Sequence, residues 1–115
     1  MLNPKEFYDL LLENELEHFF GVPDSTLKYF CSYIDDHAKG HMICANEGSA
    51  IGNAMGYHLA TGKVPVVYMQ NSGFGNAINP ILSMASKEIY KIPMLIIIMR
   101  RQKKTMLHFA DMIFV

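Results

Sequence analysis

Tryptophan is absent from this chain, and cysteine occurs only at Cys31 and Cys44. Two cysteines are too few for a disulfide scaffold, and neither sits in a metal-binding spacing, so both read as buried thiols in a reducing, cytoplasmic setting. No apolar run approaches the ~20 residues needed to cross a bilayer, which argues against a membrane protein. The first segment carries Lys5, Glu6 and Asp9 where a signal peptide would be apolar. Charged residues make up 18% and nearly cancel, leaving a net charge of −1. That balance gives no footprint for nucleic acid or for an anionic membrane surface. No repeat, linker or low-complexity stretch precedes residue 100. What remains is 115 residues, half of them hydrophobic, which suffices for one folded domain with a single core.

Helical and extended patterns alternate along it. Asn3 can cap a first helix, with Pro4 at its first position and Glu6 three residues after the cap. Phe7, Leu10 and Leu11 carry the helical period, which fades near Asn14 and Glu15. His18 to Val22 reads as a short buried strand that Pro23-Asp24 breaks. Asp24 or Ser25 can cap a second helix reaching about His37, with Leu27, Phe30, Cys31 and Ile34 on its apolar face. A second strand spans His41 to Ala45, and a helix follows from Asn46 to Ala60 with Gly62 as its C-cap. Val64 to Gln70 is a third strand. After a loop from Asn71 to Gly75, a helix with Pro80 in its first turns runs to about Ser86. Pro93 to Met99, apolar throughout, is a fourth strand. Continuous apolar strands separated by helices predict an α/β fold, a doubly wound parallel sheet with helices on both faces. Ligands of such sheets sit beyond the carboxyl ends of the strands. Three loops emerge there: Pro23-Asp24, Asn46-Glu47 and Asn71 to Asn76.

The most informative stretch runs from Ala45 to Tyr57 (ANEGSAIGNAMGY). It sets one carboxylate, Glu47, at the mouth of a helix studded with Gly48, Gly52 and Gly56. Each glycine gives up roughly 1 kcal/mol of helix stability relative to alanine. Four residues apart, they share one side of the helix, as suits a close approach by another backbone or a flat ligand. The plain alternative for Glu47 is a first-turn glutamate that favours the helix dipole. Asn71-Ser72-Gly73-Phe74-Gly75-Asn76 lacks the lysine of a P-loop and the third glycine of a dinucleotide fingerprint. A strand-to-helix turn with Asn76 as cap is its simpler reading. His37 and His41 lie four apart, but Gly40 intervenes and the pair leaves a helix to enter a strand, so no metal site is expected. His18, His58 and His108 read as surface or satisfied residues.

In combination, four segments carry a resemblance: FFGVPDSTL (Phe19 to Leu27), ANEGSAIGNAMGYHLATGK (Ala45 to Lys63), QNSGFGNAINPILS (Gln70 to Ser83) and IPMLIII (Ile92 to Ile98). They resemble the pyrimidine-binding domain of thiamine-diphosphate-dependent 2-oxo acid decarboxylases, and phosphonopyruvate decarboxylases most of all. Sulfopyruvate decarboxylases are close relatives in which the same domain forms a separate subunit. The resemblance covers roughly Pro4 to Met99, which implies a partial pyrimidine-binding domain over 1–99 and a divergent tail over 100–115.

By that resemblance Glu47 hydrogen-bonds a ring nitrogen of the aminopyrimidine and drives formation of the thiazolium ylide. Such a carboxyl must share a proton near neutral pH, which burial favours and a helix N-terminus opposes. Asp24 matches the family's acidic residue after the first strand, implied to orient substrate or relay a proton; a helix N-cap in a Pro-Asp-Ser turn explains it equally well. Asn71, Ser72, Gly73, Phe74, Gly75 and Asn76 match the loop that approaches the pyrimidine ring and the substrate. The family holds diphosphate and magnesium on a second domain through a Gly-Asp-Gly motif, and no Gly-Asp pair occurs here. The implied cofactor contact is thus the pyrimidine end only, with magnesium on a partner domain or subunit in a homo- or hetero-oligomer. Where relatives continue with Gly-Trp-Arg-Gly, this chain has Met99-Arg100-Arg101-Gln102, then Lys103, Lys104 and the unaligned Thr105 to Val115. The implied reaction is decarboxylation of phosphonopyruvate to phosphonoacetaldehyde, a step of phosphonate biosynthesis, with no turnover by this chain alone. A subunit of a split sulfopyruvate-type enzyme and a non-catalytic truncated remnant are the alternatives.

Overall fold

The computed structural model describes residues 3–100 and the backbone of residues 101 and 108–114. Helix α1 (Pro4–Glu13) leads to β1 (His18–Gly21), α2 (Lys28–His37), β2 (Gly40–Ile43), α3 (Glu47–Thr61) and β3 (Val66–Gln70). A 3-10 turn (Asn71–Gly73), α4 (Phe74–Pro80) and a π turn (Ile81–Ala85) precede β4 (Leu95–Arg101) and β5 (His108–Phe114). The sheet order is β2-β1-β3-β4-β5; the first four strands are parallel and β5 runs antiparallel to β4. The α/β architecture read from the sequence is therefore present, with one antiparallel strand added at its edge.

The apolar centres of β3 and β4 follow from the two covered faces of the sheet. Val66, Tyr68, Leu95, Ile97 and Met99 pack with Phe7, Tyr8 and Leu11 of α1 and Phe30, Cys31 and Ile34 of α2. The alternate positions Val67, Met69, Ile96 and Ile98 pack with Ala50, Ile51, Ala54 and Met55 of α3 and Ala77 of α4. Successive strand residues point to opposite faces, so both registers must be apolar. Each fully buried aliphatic side chain contributes about 1.5–3 kcal/mol relative to exposure.

Local chemistry sets the helix ends. Asn3 accepts from the backbone N–H of Lys5 and Glu6 at the start of α1, with Pro4 just inside. Gly62 closes α3 with φ 74, donating its N–H to His58 at 2.7 Å.

Gly21 solves a different problem. A Cβ there would lie 2.4 Å from the Tyr68 carbonyl oxygen and 2.6 Å from the Tyr68 ring. The bare glycine on β1 lets that ring lie across the strand and bring its hydroxyl to His41 Nε2 on β2. His41 Nδ1 meets Asp35 of α2 at 2.7 Å. With Asp35 accepting from Nδ1–H, Nε2 is left to accept the Tyr68 proton. Helix α2 and strands β2 and β3 are thereby laced together over β1.

Three sequence expectations are corrected. Helix α2 begins at Lys28 after Leu27, without a side-chain cap, so neither Asp24 nor Ser25 caps it. Asp24 instead folds back on Thr26 as an Asx-type turn. Asn76 lies inside α4 rather than at its cap, and Pro80 ends that helix instead of opening it. The missing proline N–H interrupts the helical ladder, and the chain passes into the π turn before Ser86. Strand β4 extends past Met99 to Arg101, and part of the tail, 108–114, pairs with it. Lys103, Lys104 and the rest of 102–107 lie outside the described residues, as does the side chain of His108.

Candidate cofactor site

The carboxyl ends of β1, β2 and β3 open on one side of the sheet, and the three predicted loops leave from there. Asn46 makes the sharpest of the turns. Its backbone is extended (φ −156, ψ 172), and its side chain accepts from the Ser49 N–H at 2.9 Å. Glu47 is thus the first residue of α3, at the positive end of the helix dipole.

The Glu47 side chain crosses to the next strand's loop. Asn76 Nδ2 donates to Glu47 Oε2 at 3.0 Å. A Cβ on Gly73 would sit 2.0 Å from Glu47 Oε1, so the carboxylate fills the space that the absent side chain leaves. The backbones approach as well: a Cβ on Gly48 would lie 3.2 Å from the Asn76 carbonyl oxygen. That carbonyl would ordinarily accept from residue 80 of the helix, which is Pro80 and has no N–H. Of the three-glycine stripe, Gly48 alone meets another backbone among the described residues; Gly52 and Gly56 have none of those residues within 4 Å.

The rest of the third loop is mixed. Asn71 and Ser72 are exposed on the 3-10 turn, and Gly75 has no neighbour within 4 Å. Phe74 turns inward against the core beneath α3 and α4. The structure therefore brings Glu47, Gly73 and Asn76 into direct contact and leaves Asn71, Ser72 and Gly75 along an open rim.

Asp24 stands apart from that cluster. Its Oδ1 accepts from both the backbone N–H and the hydroxyl of Thr26, each at 2.5 Å. Its Oδ2 is buried and has no hydrogen-bond partner among the described residues. A carboxylate oxygen stripped of water and left unpaired is costly, so a natural protein retains one where something else uses it. No hydrogen bond joins Asp24 to Glu47. Nearby, burial pushes the Cys31 thiol up to about 11, against a hydrogen-bond contact with Tyr68 that lowers it and with the charges of Asp24 and Asp35 that raise it further. Burial also raises the Tyr68 phenol well above its ordinary range, with Cys31 adding to the rise.

Sequence reasoning missed the Asp35–His41–Tyr68 chain, which runs across the sheet from α2. Its one legible signal was Gly21, a glycine inside a strand, which marks a close approach. A separate groove of about 440 Å³ lies beside β2, lined by His18, Phe20, Met42, Asn53 and Tyr57 among others. None of the predicted site residues lines it. Among the described residues no cluster of His, Cys, Asp and Glu could hold a metal, and no helix is long and apolar enough to cross a membrane.

Comparison with known proteins places the chain in a family. Residues 5–112 match the model of the thiamine pyrophosphate enzyme N-terminal TPP-binding domain. The chain is 38% identical over 95 residues to the sulfopyruvate decarboxylase subunit alpha of Methanococcus maripaludis, covering 82% of this chain and 55% of that protein. For the subunit alpha of Methanocaldococcus jannaschii the identity is 36% over 95 residues, covering 82% and 54%. This chain thus spans about half the length of these curated relatives. Among solved structures, benzoylformate decarboxylase from Polynucleobacter necessarius superposes with a TM-score of 0.75 at 24% identity, over 90% of this chain and 19% of that one. A chain described as a thiamin diphosphate-dependent enzyme from Mycobacterium smegmatis gives a TM-score of 0.73 at 28% identity, over 85% and 18%.

Proposed function

Because the chain belongs to the family of thiamine pyrophosphate enzyme N-terminal TPP-binding domains, we propose that it supplies the pyrimidine half of the active site in a two-subunit 2-oxo acid decarboxylase. The observation that carries this reading is the Glu47 cluster: a carboxylate on the first turn of α3, one oxygen held by Asn76 and the other lodged against Gly73. Oε1 accepts no hydrogen bond from the described residues, which leaves it open to a donor from outside. The donor set fits an aminopyrimidine, a flat ring with nitrogens that share a proton with a carboxyl. It does not fit the diphosphate end, because no lysine or arginine stands among the predicted site residues and no Gly-Asp pair exists in the sequence. Diphosphate and magnesium fall to a partner subunit.

When bound, thiamine diphosphate supplies the carbon nucleophile and the electron sink for loss of carbon dioxide. Glu47 holds a proton between its free oxygen and a ring nitrogen, the step a positioned carboxyl performs as a general acid-base catalyst. Asp24, whose Oδ2 has no hydrogen-bond partner among the described residues, would orient the 2-oxo acid or carry a proton. Asn71, Ser72 and Gly75 form the rim along which the ring and substrate enter.

The relatives are named for sulfopyruvate, so a small 2-oxo acid with an anionic sulfonate head is the preferred substrate. Phosphonopyruvate, with an anionic head on the same carbon frame, is the second reading, supported by the motif resemblance alone. The test mixes this chain with a diphosphate-binding subunit from a sulfopyruvate decarboxylase, thiamine diphosphate and magnesium, and measures carbon dioxide from both acids. Release from sulfopyruvate in the mixture, and from neither component alone, is expected. Faster release from phosphonopyruvate would reverse the substrate order, and silence of the folded chain with both acids would favour a remnant.

A further inference from the structure

We infer that Asn76 is a positioning residue that acts on the cofactor through Glu47. The inference rests on the reading of Glu47 given above and adds a residue whose effect is indirect. Its first support is the contact itself, Asn76 Nδ2 to Glu47 Oε2 at 3.0 Å. A carboxylate accepts and does not donate, so the amide must present its nitrogen here; the carbonyl end would repel. Pinning one oxygen leaves the second as the oxygen available to a ring nitrogen.

The second support lies in the backbone. Gly48 brings the first turn of α3 against the Asn76 carbonyl, and Pro80 withholds the helical N–H that carbonyl would otherwise receive. The helix bearing Glu47 and the helix bearing Asn76 are therefore seated on each other at these two residues. Third, Gly73 removes the side chain that would push Glu47 off this position. Three separate sequence choices, Gly48, Gly73 and Pro80, converge on one side-chain pair. Asn76 is otherwise exposed, and the Glu47 contact is the one hydrogen bond its side chain makes among the described residues.

Two measurements test this, using the chain and its mixture with the diphosphate-binding subunit. In the first, the side-chain amide resonances of Asn76 are recorded by NMR in the chain and in Glu47→Gln. They are expected to move, because the charged acceptor is lost. In the second, exchange of the thiazolium carbon-bound proton of thiamine diphosphate into deuterated water is followed in the mixture, apart from any turnover. Asn76→Ala is expected to slow exchange about tenfold, since a misplaced catalytic group loses rate steeply with distance. Asn76→Asp, isosteric but placing like charge beside Glu47, is expected to slow it further. In a Glu47→Ala background, Asn76→Ala should change exchange by less than about twofold, the signature of two residues acting as a unit.

An equal loss from Asn76→Ala in both backgrounds would overturn the inference. So would unmoved amide resonances, which would deny the contact whatever the cofactor does. If Glu47→Gln exchanges as fast as wild type while the resonances still move, the reading of Glu47 has failed and this inference falls with it.

Discussion

Asp24 and Glu47 follow neighbouring parallel strands of one sheet, yet the chain holds these two carboxylates in opposite ways. Glu47 is set by a helix: Asn46 caps α3, the helix starts at once, and the side chain finds Asn76 and Gly73 across the gap. Asp24 is set by a turn that closes on itself through Thr26, and α2 begins only at Lys28 without a side-chain cap. One carboxylate is partly exposed and steered from outside; the other has one oxygen doubly bonded and the second buried without a partner. The lesson is that a capped helix start fixes where a carboxylate points, whereas an Asx turn fixes one oxygen and leaves the other in reserve.

The contrast breaks most sharply at Gly73. A methyl group there enters the space of Glu47 Oε1, and the flexible end of the glutamate gives way before the backbone does. With φ −91 and ψ −8, Gly73 sits in the bridge region of negative φ that non-glycine residues occupy at type I turns, so alanine is tolerated there. Gly73→Ala should therefore keep its circular dichroism spectrum while decarboxylation in the two-subunit mixture falls about 100-fold. Unaltered activity would show that the Glu47 position is unimportant.

A smaller loss is expected on the other side. Asp24→Asn keeps an oxygen for Thr26 and removes the charge, so decarboxylation should drop about tenfold. The urea unfolding free energy should decrease by no more than about 1 kcal/mol, because the buried oxygen had no partner to lose. A larger loss of stability with full activity would make Asp24 a structural cap.

The Asp24 side also carries a pH signature. In the folded chain burial pushes the Cys31 thiol up from its ordinary 9.0 to about 11. Below 9 both states hold the proton; between the two values only the folded state does, so stability falls as pH rises through that window. The urea midpoint should decline from pH 9 to 11, and Cys31→Ala should flatten part of the decline. An identical slope in the variant would assign the effect elsewhere.

Least affected should be the open side of α3. Gly52 and Gly56 lie in a helix interior with none of the described residues within 4 Å, so alanine at either position should raise stability, by up to about 1 kcal/mol each in chemical denaturation. No gain would mean that the added methyl meets something in solution.

Much of this was legible in the sequence. The strands β1, β3 and β4 announce themselves as apolar runs because both faces are covered, whereas the edge strand β2 leaves Met42 and Ile43 exposed, and Gly62 marks the end of α3 by its cap chemistry. Glu47 stood out for its place before a glycine-rich helix. What stayed hidden involves competition between equally good local choices. Asp24 and Ser25 are both fit to cap a helix, and the outcome depended on Thr26 offering a closer donor pair. Pro80 fits the first turn of a helix by its fixed φ, yet the structure sets it as the last residue of α4. The Glu47–Asn76 pair spans 29 residues and leaves no local pattern. The same holds for Tyr68 and His41, which meet over a glycine on the strand between them.

The most direct test compares exchange of the thiazolium carbon-bound proton of thiamine diphosphate in the two-subunit mixture, with wild-type chain and with Glu47→Gln. Glutamine keeps the shape and the Asn76 contact on its carbonyl oxygen but cannot share the proton. Exchange slowed on the order of a hundredfold or more is the predicted result. Exchange at the wild-type rate would contradict the assignment of Glu47 and, with it, the functional difference between the two carboxylates.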